Sequence, residues 1–427
     1  MHKQLKIAIL TASSPFYAAG ILAYDLKNLL QEAGHDCIIM ANTYFENNKK
    51  DIIVFPSKLG NFIKRIDEAV KRRINKEVPT DDNYYMFGLK QRAYKPMHHR
   101  IISRLPFKPD YFIYLFPQYF LNAKDLYLLN KKTGVPILWF MMDMAAMTGG
   151  CHYAWDCEGY TKSCGCCPGI YSKNPKDQTN NNFNFKKKYI EKTNITPIAA
   201  SEWQYGQLKK SNIFKNKKKY KVFEPINEAH YKPADKSTAR KELNLPLEKK
   251  ILFFGATSVN DKRKGYSLLL KALLLLDKKL NREEKQGIHL AIAGAANNDF
   301  DFDLPFTYTH MGYFTHEGLP RAYQAADIFV CPSIQDSGPL MVNHSIMCGT
   351  PVVAFEMGVA TDIVHSGSTG YRAKLNDTGD LCKGIESILK LDEGAYLQMS
   401  KACIEAGKEY ISNESILNQL NEVFHGV

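Results

Sequence analysis

The chain has no apolar run long enough to cross a lipid bilayer. Its longest apolar stretch, residues 268–276, is interrupted by Lys271 and is far shorter than the ~20 residues that a spanning helix needs. A signal peptide is not predicted, because Lys6 lies among the first apolar residues and residues 7–10 are too short for a secretory core. Low-complexity tracts and internal repeats are also lacking. We therefore expect a globular, cytoplasmic protein.

Two common nucleotide-binding motifs are missing as well. The loop after the first predicted strand, residues 11–20, has no G-x-G-x-x-G spacing, so a nicotinamide or flavin dehydrogenase loses its main support. A G-x-x-x-x-G-K-[ST] motif is also absent, which excludes a P-loop NTPase. Any nucleotide must therefore be bound by another arrangement.

Size and composition are those of a multidomain globular protein. The 427 residues, 45% of them hydrophobic and 23% charged, suggest two or three domains at about 150 residues each. The formal net charge is +12. The lysines of residues 181–221 are interpreted as solvated surface. Residues 58–76 instead predict a basic amphipathic helix, which favours contact with an anionic membrane surface over nucleic acid, since no nucleic-acid motif accompanies the charge.

Short apolar strands alternate with amphipathic helices in two consecutive series. This alternation predicts an α/β protein with two Rossmann-like, doubly wound domains and a cleft between them. We expect an N-terminal domain at 1–224 with a Cys-rich insertion at 149–168, a C-terminal domain at 225–411, and a final helix at 412–427 that packs back on the first domain. The predicted elements of the two series are 5–10, 18–33, 37–40, 111–116, 137–141 and 195–200, then 251–255, 265–280, 289–293, 319–326, 328–331, 340–348, 351–355 and 381–389.

The most informative segment is 332–354. A strand ends at Pro332 and the pair Gly338-Pro339 opens a helix, where exposed N–H groups and the helix dipole favour a diphosphate. Asp336 lies in the loop before that helix. His344 follows about one turn inside it, where its ring would reach hydroxyl groups of the same ligand. A helix packed by its apolar face, with Asp336 as its cap, is the simpler interpretation, but it leaves the many loop-forming residues unexplained.

This segment resembles the signature of retaining, nucleotide-sugar-dependent glycosyltransferases of family 4, which have the GT-B fold. Residues 143–153 resemble the branch that works on bacterial surface polysaccharides. Matching pieces cover most of the chain, and the others are 23–36, 201–203, 264–265, 312–313 and 323–327.

The resemblance implies roles for residues of the C-terminal domain. Two family glutamates eight positions apart, one near the donor sugar and one on the ribose, correspond to Asp336 and His344. A basic pair that neutralises the diphosphate corresponds to Lys264, with Arg263 as the candidate for its partner. The backbone N–H groups of Gly338, Leu340 and Met341 would hold donor oxygens. Pro339 has no N–H and would contribute its fixed backbone.

The N-terminal domain departs from the family pattern. The Gly-rich turn after the first strand keeps only Gly20 as a donor contact. The histidine that often precedes the aspartate near the sugar is here Met142, followed by Asp143. His152, nine residues further on, is the candidate replacement, so that Asp143, His152, Lys264 and Asp336 form the predicted catalytic set.

Five of the ten cysteines fall within residues 151–167. Cys151, Cys157, Cys164 and Cys167 have the spacing C-x5-C-x6-C-x2-C, which suits a structural zinc site, although it is not a standard paired ribbon. Buried thiols that pack a loop are an equally good interpretation, and disulfides rank third. The other five, which lie on apolar elements, are predicted to be core residues.

The resemblance implies transfer of a sugar from a nucleoside diphosphate donor to a glycan or lipid-linked glycan acceptor. No catalytic cofactor is expected, and the D-x-D-like run at 299–303 is interpreted as a solvent-facing loop rather than a metal site. A protein with this fold that is catalytically weak or silent is the first alternative, since three donor contacts are altered. A nucleotide-sugar epimerase ranks last.

Overall fold

The structure is a computed structural model. It describes residues 3–12, 18–42, 50–55, 78–116, 120–295, 303–314 and 317–427. The predicted basic helix at 58–76 lies outside these ranges, as do Tyr17 of the first loop and Asp299 and Asp301 of the D-x-D-like run. Among the helices within these ranges, none has the length and apolarity to cross a bilayer.

The chain divides into two compact units. The N-terminal unit contains residues 1–200, 204–222 and 419–427, and the C-terminal unit contains residues 201–203 and 223–418. The end of the last helix joins the N-terminal unit, where the Phe424 ring lies 5.0 Å from that of Tyr111 and the Phe424 carbonyl accepts a hydrogen bond from the Tyr111 hydroxyl at 2.8 Å.

A seven-stranded parallel sheet forms the centre of the N-terminal unit, in the order β3-β2-β1-β4-β5-β6-β7. Its five inner strands are largely apolar and are buried along nearly their whole length, as expected of a sheet covered on both faces. The strands are β1 (Lys6–Thr11), β2 (Asp36–Ala41), β3 (Ile52–Val54), β4 (Tyr111–Tyr114), β5 (Ile137–Phe140), β6 (Ile195–Ala199) and β7 (Tyr220–Lys221).

The C-terminal unit contains a second parallel sheet, of six strands in the order β10-β9-β8-β11-β12-β13. Its strands are β8 (Lys250–Ser258), β9 (Ile288–Ala295), β10 (Thr307–His310), β11 (Ile328–Cys331), β12 (Val352–Phe355) and β13 (Gly370–Ala373). The two parallel sheets confirm the predicted pair of Rossmann-like, doubly wound α/β domains.

Helices connect the strands of both sheets. They are α1 (Ala18–Glu32), α2 (His98–Ser103), α3 (Ala123–Thr133), α4 (Gln178–Ile190), α5 (Glu202–Lys210), α6 (Lys236–Glu242), α7 (Tyr266–Lys279), α8 (Arg282–Gln286), α9 (Leu319–Ala325), α10 (Leu340–Met347), α11 (Ala360–Ile363), α12 (Thr378–Leu389), α13 (Glu393–Tyr410) and α14 (Asn413–Gly426).

Each sheet reverses its strand order at one place. In the C-terminal unit β8 lies between β9 and β11, so the chain winds outward in both directions from the β8–β11 pair. The loops that leave the carboxyl ends of two such strands diverge and leave a crevice, which is where doubly wound sheets bind ligands. The loop after β8 carries Lys264, and the loop after β11 carries Asp336.

Candidate functional site

The helix start after β11 is a sharp, closely packed turn. Pro339 is the N-cap of α10, and no side chain caps the first turn of the helix. Gly358 contacts the proline ring so closely that a Cβ atom on it would lie 2.6 Å from Pro339 Cδ. The Ser337 carbonyl accepts a hydrogen bond from the Ser201 hydroxyl at 2.6 Å. The turn is thus fixed from several sides. The Val342 N–H donates to the Pro339 carbonyl at 2.8 Å, and no side chain caps the N–H groups of Leu340 and Met341.

Lys264 and Asp336 meet beside this turn. The Lys264 ammonium lies 2.6 Å from Asp336 Oδ2, and the two side chains are 22% and 12% exposed. Their approach depends on Gly265, whose φ is +71° and where a Cβ atom would lie 1.9 Å from the Pro332 carbonyl oxygen. A residue with a side chain would therefore force the two loops apart. The two residues, whose roles were predicted separately, are thus in direct contact across the β8–β11 crevice.

Arg263 connects the loop after β8 to the loop after β11. Its guanidinium lies 2.5 Å from Asp261 Oδ2 and donates to the Gln335 carbonyl at 3.4 Å, and its own carbonyl accepts from the Ile334 N–H at 2.8 Å. The residue is only 7% exposed. Arg263 therefore ties the β8 loop to the β11 loop and adds a positive charge behind Asp336.

Two carboxyl groups near the turn have opposite electrostatic environments. Burial alone would raise the pKa of Asp336, but the charges of Lys264 and Arg263 and the hydrogen bonds from Lys264 and the Ser337 N–H hold it below its ordinary value. Glu224 is also buried, and burial together with the negative charge of Asp336 raises its pKa to about 8. At neutral pH the site therefore contains an ionised Asp336 and a protonated Glu224.

His344 lies inside the C-terminal unit. The residue is 4% exposed, and its ring stacks on that of Tyr231 with 3.7 Å between ring centroids and 8° between the planes. The Tyr323 ring contacts it edge-on at 5.8 Å. The structure therefore gives the imidazole a packing role, and its predicted contact with a ribose stays a prediction.

Asp143 and His152 form a second pair, in the N-terminal unit. His152 Nδ1 lies 2.6 Å from Asp143 Oδ2, and Asp143 Oδ1 accepts from the Ala145 N–H at 2.6 Å. The two residues are 7% and 5% exposed. A carboxylate oxygen accepts hydrogen bonds, so Nδ1 is the donor in this contact, and Nε2 lies on the other side of the ring.

Aromatic rings and a buried lysine surround this pair. The His152 ring contacts those of Phe87 and Phe116 at 5.4 and 6.0 Å. Lys186, 2% exposed, donates to the Ala145 and Thr148 carbonyls at 2.5 and 2.9 Å, which holds the turn that follows Asp143. Burial lowers the pKa of Lys186 to about 8.

The remaining predicted residues are placed as follows. Gly20 is buried in the first turn of α1. The five cysteines predicted as core, Cys37, Cys331, Cys348, Cys382 and Cys403, are buried. Among the described residues, no three His, Cys, Asp or Glu side chains are already arranged to hold a metal ion, although Cys151, Cys157, Cys164 and Cys167 line one small cavity.

Two residues that the structure places at these sites were missed by reasoning from the sequence. Glu224 precedes Pro225 at the predicted boundary between the two domains, and an isolated carboxylate there belongs to no motif. Lys186 is one of many lysines within residues 181–221. It lies four residues from both Asn182 and Ile190, which are buried on α4, and only this helical spacing could have indicated that it faces inward.

The comparison with protein families gives a match within the C-terminal unit. Residues 235–410 match the family model of the glycosyl transferases group 1. A D-inositol 3-phosphate glycosyltransferase of Arthrobacter sp. (strain FB24) is 28% identical over 167 residues, which are 37% of this chain and 38% of that protein. The Mycobacterium bovis protein of the same name is 24% identical over 176 residues, 38% of this chain and 34% of that protein. The match thus spans little more than a third of these curated relatives.

Solved structures extend the likeness to the whole chain. Sucrose-phosphate synthase from Thermosynechococcus elongatus superposes with a TM-score of 0.66 at 16% identity, covering 99% of both chains. The catalytic domain of starch synthase IV from Arabidopsis thaliana, bound to ADP and acarbose, has a TM-score of 0.65 at 15% identity, again over 99% of both chains. At this identity the likeness shows the fold. Together with the family model, it confirms the resemblance to GT-B-fold glycosyltransferases.

Proposed function

We propose that this protein is a retaining glycosyltransferase that takes a sugar from a nucleoside diphosphate donor. The observation that carries the proposal is the Lys264–Asp336 ion pair, which lies beside the start of α10, where no side chain provides a cap. A positive charge and helix N–H groups at one place suit a diphosphate. The pair falls within the residues that match the glycosyltransferase family model.

The chemistry assigned to this site is charge stabilisation of the leaving group. As the bond between the sugar and the diphosphate oxygen breaks, negative charge grows on the diphosphate, and Lys264 and the N–H groups of α10 stabilise it. For retention we assign a front-face transfer. The acceptor oxygen forms the new glycosidic bond, and its proton passes to the departing diphosphate oxygen. No step requires a second enzymatic carboxylate or a metal ion.

In the N-terminal unit, we assign Asp143 and His152 to the acceptor or the transferred sugar. Asp143 fixes the imidazole by accepting from Nδ1, so Nε2 would accept a hydrogen bond from a sugar hydroxyl. A glycan or lipid-linked glycan in surface polysaccharide synthesis is the proposed acceptor, on the resemblance of residues 143–153 to that branch of the family.

A donor-binding test separates this function from a silent protein with the same fold. Calorimetric titration with UDP, GDP and ADP should give binding for one of them. Lys264→Ala should weaken it and reduce transfer by roughly 10²- to 10³-fold, as for loss of one electrostatic stabiliser. Lys262→Ala removes the same charge from an exposed position in the same turn, and we expect it to stay within about twofold of the wild type.

Asp336→Asn provides a second, independent readout. Asp336 competes with a bound diphosphate for the Lys264 ammonium, so the variant should bind the nucleoside diphosphate more tightly while it transfers sugar more slowly. Failure of every nucleotide to bind the wild-type protein would refute the proposed donor site. That result would favour the catalytically silent alternative, which the packing of His344 inside the unit supports.

A further inference from the structure

Four of the five clustered cysteines line a single cavity in the N-terminal unit. The cavity has a volume of about 20 Å³, and its lining includes Cys151, Cys157, Cys164 and Cys167. Space of this size holds one water molecule or ion, for which about 10–15 Å³ is enough. The sulfurs of Cys157 and Cys164 lie 3.4 and 3.7 Å from the point where a Cβ atom of Gly159 would be. All four residues are thus close neighbours, although they are as much as 16 positions apart in sequence.

The fifth cysteine of the cluster behaves differently. Cys166 is exposed, and its thiol donates to the Lys173 carbonyl at 3.3 Å. It does not belong to the lining of the cavity. Chain proximity alone therefore does not bring the other four together, since Cys166 lies between two of them.

Burial raises the pKa values of the Cys151, Cys164 and Cys167 thiols, so a bound cation is needed to hold them as thiolates. Polar groups around the cavity would assist such a cation. Backbone N–H groups of Gly149 and Gly169 donate to the sulfurs of Cys164 and Cys167. The buried ammonium of Lys186 lies close enough to interact electrostatically with Cys164 and Cys151, while the oxygens that it contacts directly are neutral carbonyls. A buried cation requires a nearby anion. Asp143 contributes one negative charge, and thiolates would contribute more.

We propose that Cys151, Cys157, Cys164 and Cys167 bind one Zn²⁺ ion as four thiolates. Four sulfur ligands in a tetrahedron, about 2.3 Å from the metal, are characteristic of structural zinc. The sulfurs do not yet converge on one point, so binding requires rotation about the Cα–Cβ bonds, for which cysteine has three staggered positions. Each thiol releases its proton to solvent as its sulfur–zinc bond forms.

The proposed ion would act on the loop that carries His152. Cys151 is the residue directly before His152, and Gly149, which donates to Cys164, lies two residues earlier. A four-thiolate site would therefore anchor both sides of the 149–167 loop and fix the imidazole against Asp143. This role is structural and does not depend on the proposed sugar transfer.

The test is the metal content of the full-length protein purified without chelator. We expect about one zinc per chain by elemental analysis, and we expect Co²⁺ exchanged into the protein to give the visible absorption of tetrahedral thiolate cobalt. Cys164→Ser should lose the metal, whereas Cys166→Ser, the matched control in the same turn, should keep it. The wild-type metal content decides the proposal even if Cys164→Ser fails to fold.

Two outcomes would overturn the proposal. One is a wild-type protein without bound metal that takes up neither Zn²⁺ nor Co²⁺ and has all ten thiols titratable after denaturation, which would mean that the thiols only pack the loop. The other is a protein with fewer titratable thiols, which recovers them only after reduction, since that would show disulfides. Neither result would affect the calorimetric test of the donor site.

Discussion

Glu224→Gln should remove a pH-dependent weakness of the C-terminal unit. Burial beside Asp336 raises the pKa of Glu224 from 4.5 to about 8. Between these values the unfolded carboxyl is ionised while the folded one keeps its proton. Unfolding therefore releases a proton, and the stability of the wild-type unit falls as the pH rises from 4.5 to about 8.

The size of this effect follows from the two pKa values. At ~1.4 kcal/mol for each pH unit, the full interval corresponds to about 5 kcal/mol. The part of this loss that falls between pH 6 and pH 8 is about 2 kcal/mol, and thermal unfolding can measure it. For a unit of this size such a change corresponds to roughly 4–8 °C in melting temperature. Glutamine has nearly the same shape and does not titrate, so its variant should lack this loss.

Thermal unfolding of the full-length wild type and the variant between pH 6 and pH 8 gives the comparison. The curves of melting temperature against pH should converge or cross, with the wild type falling more steeply. Glu248→Gln makes the same change at an exposed position, and we expect it to keep the wild-type slope. Parallel curves for wild type and Glu224→Gln would show that Glu224 is ionised in the folded protein, and the electrostatic description of the site would be wrong.

Two further substitutions test the geometry of the sites. Gly265→Ala forces a side chain onto a left-handed residue and into a backbone carbonyl, so it should lower the free energy of unfolding by about 3–5 kcal/mol. Gly34→Ala is the control and should cost about 1 kcal/mol, because φ there is +87° but no atom lies within 4 Å of the new Cβ. Equal losses of stability by thermal unfolding would contradict the contact. Asp143→Asn should reduce sugar transfer by about 10²-fold or more, because His152 loses the group that orients it. Asp156→Asn, at an exposed position in the same loop, should leave transfer unchanged. Equal transfer rates for the two variants would contradict the role assigned to Asp143.

Buried strands were predictable because they carry a local signal. The predicted strand at 328–331 agrees with β11 residue for residue, and the predicted helix at 340–348 differs from α10 by one residue. Edge strands such as β10 (Thr307–His310) were not predicted, because they are short and largely exposed, and no apolar pattern marks them. Their position depends on hydrogen bonds to a neighbour that is distant in sequence.

The candidate donor site was predictable in part. The Gly338-Pro339 signature gave Asp336, and the resemblance gave Lys264, because both belong to local motifs. That these two side chains form an ion pair was not predictable, since it depends on the adjacency of β8 and β11 and on a glycine that lets their loops approach. Glu224 was missed for the same reason, because its neighbour Asp336 is more than a hundred positions away.

The sequence by itself determined the alternation of strands and helices, the two doubly wound units and the turn at Gly338-Pro339, because periodicity, punctuation by Gly and Pro, and apolar runs act over a few residues. Only the tertiary structure decided which charges lie together: Lys264 on Asp336, Asp143 on His152, and a protonated Glu224 nearby. Charge interactions depend on distance and burial, and in a folded chain neither quantity follows from separation along the sequence.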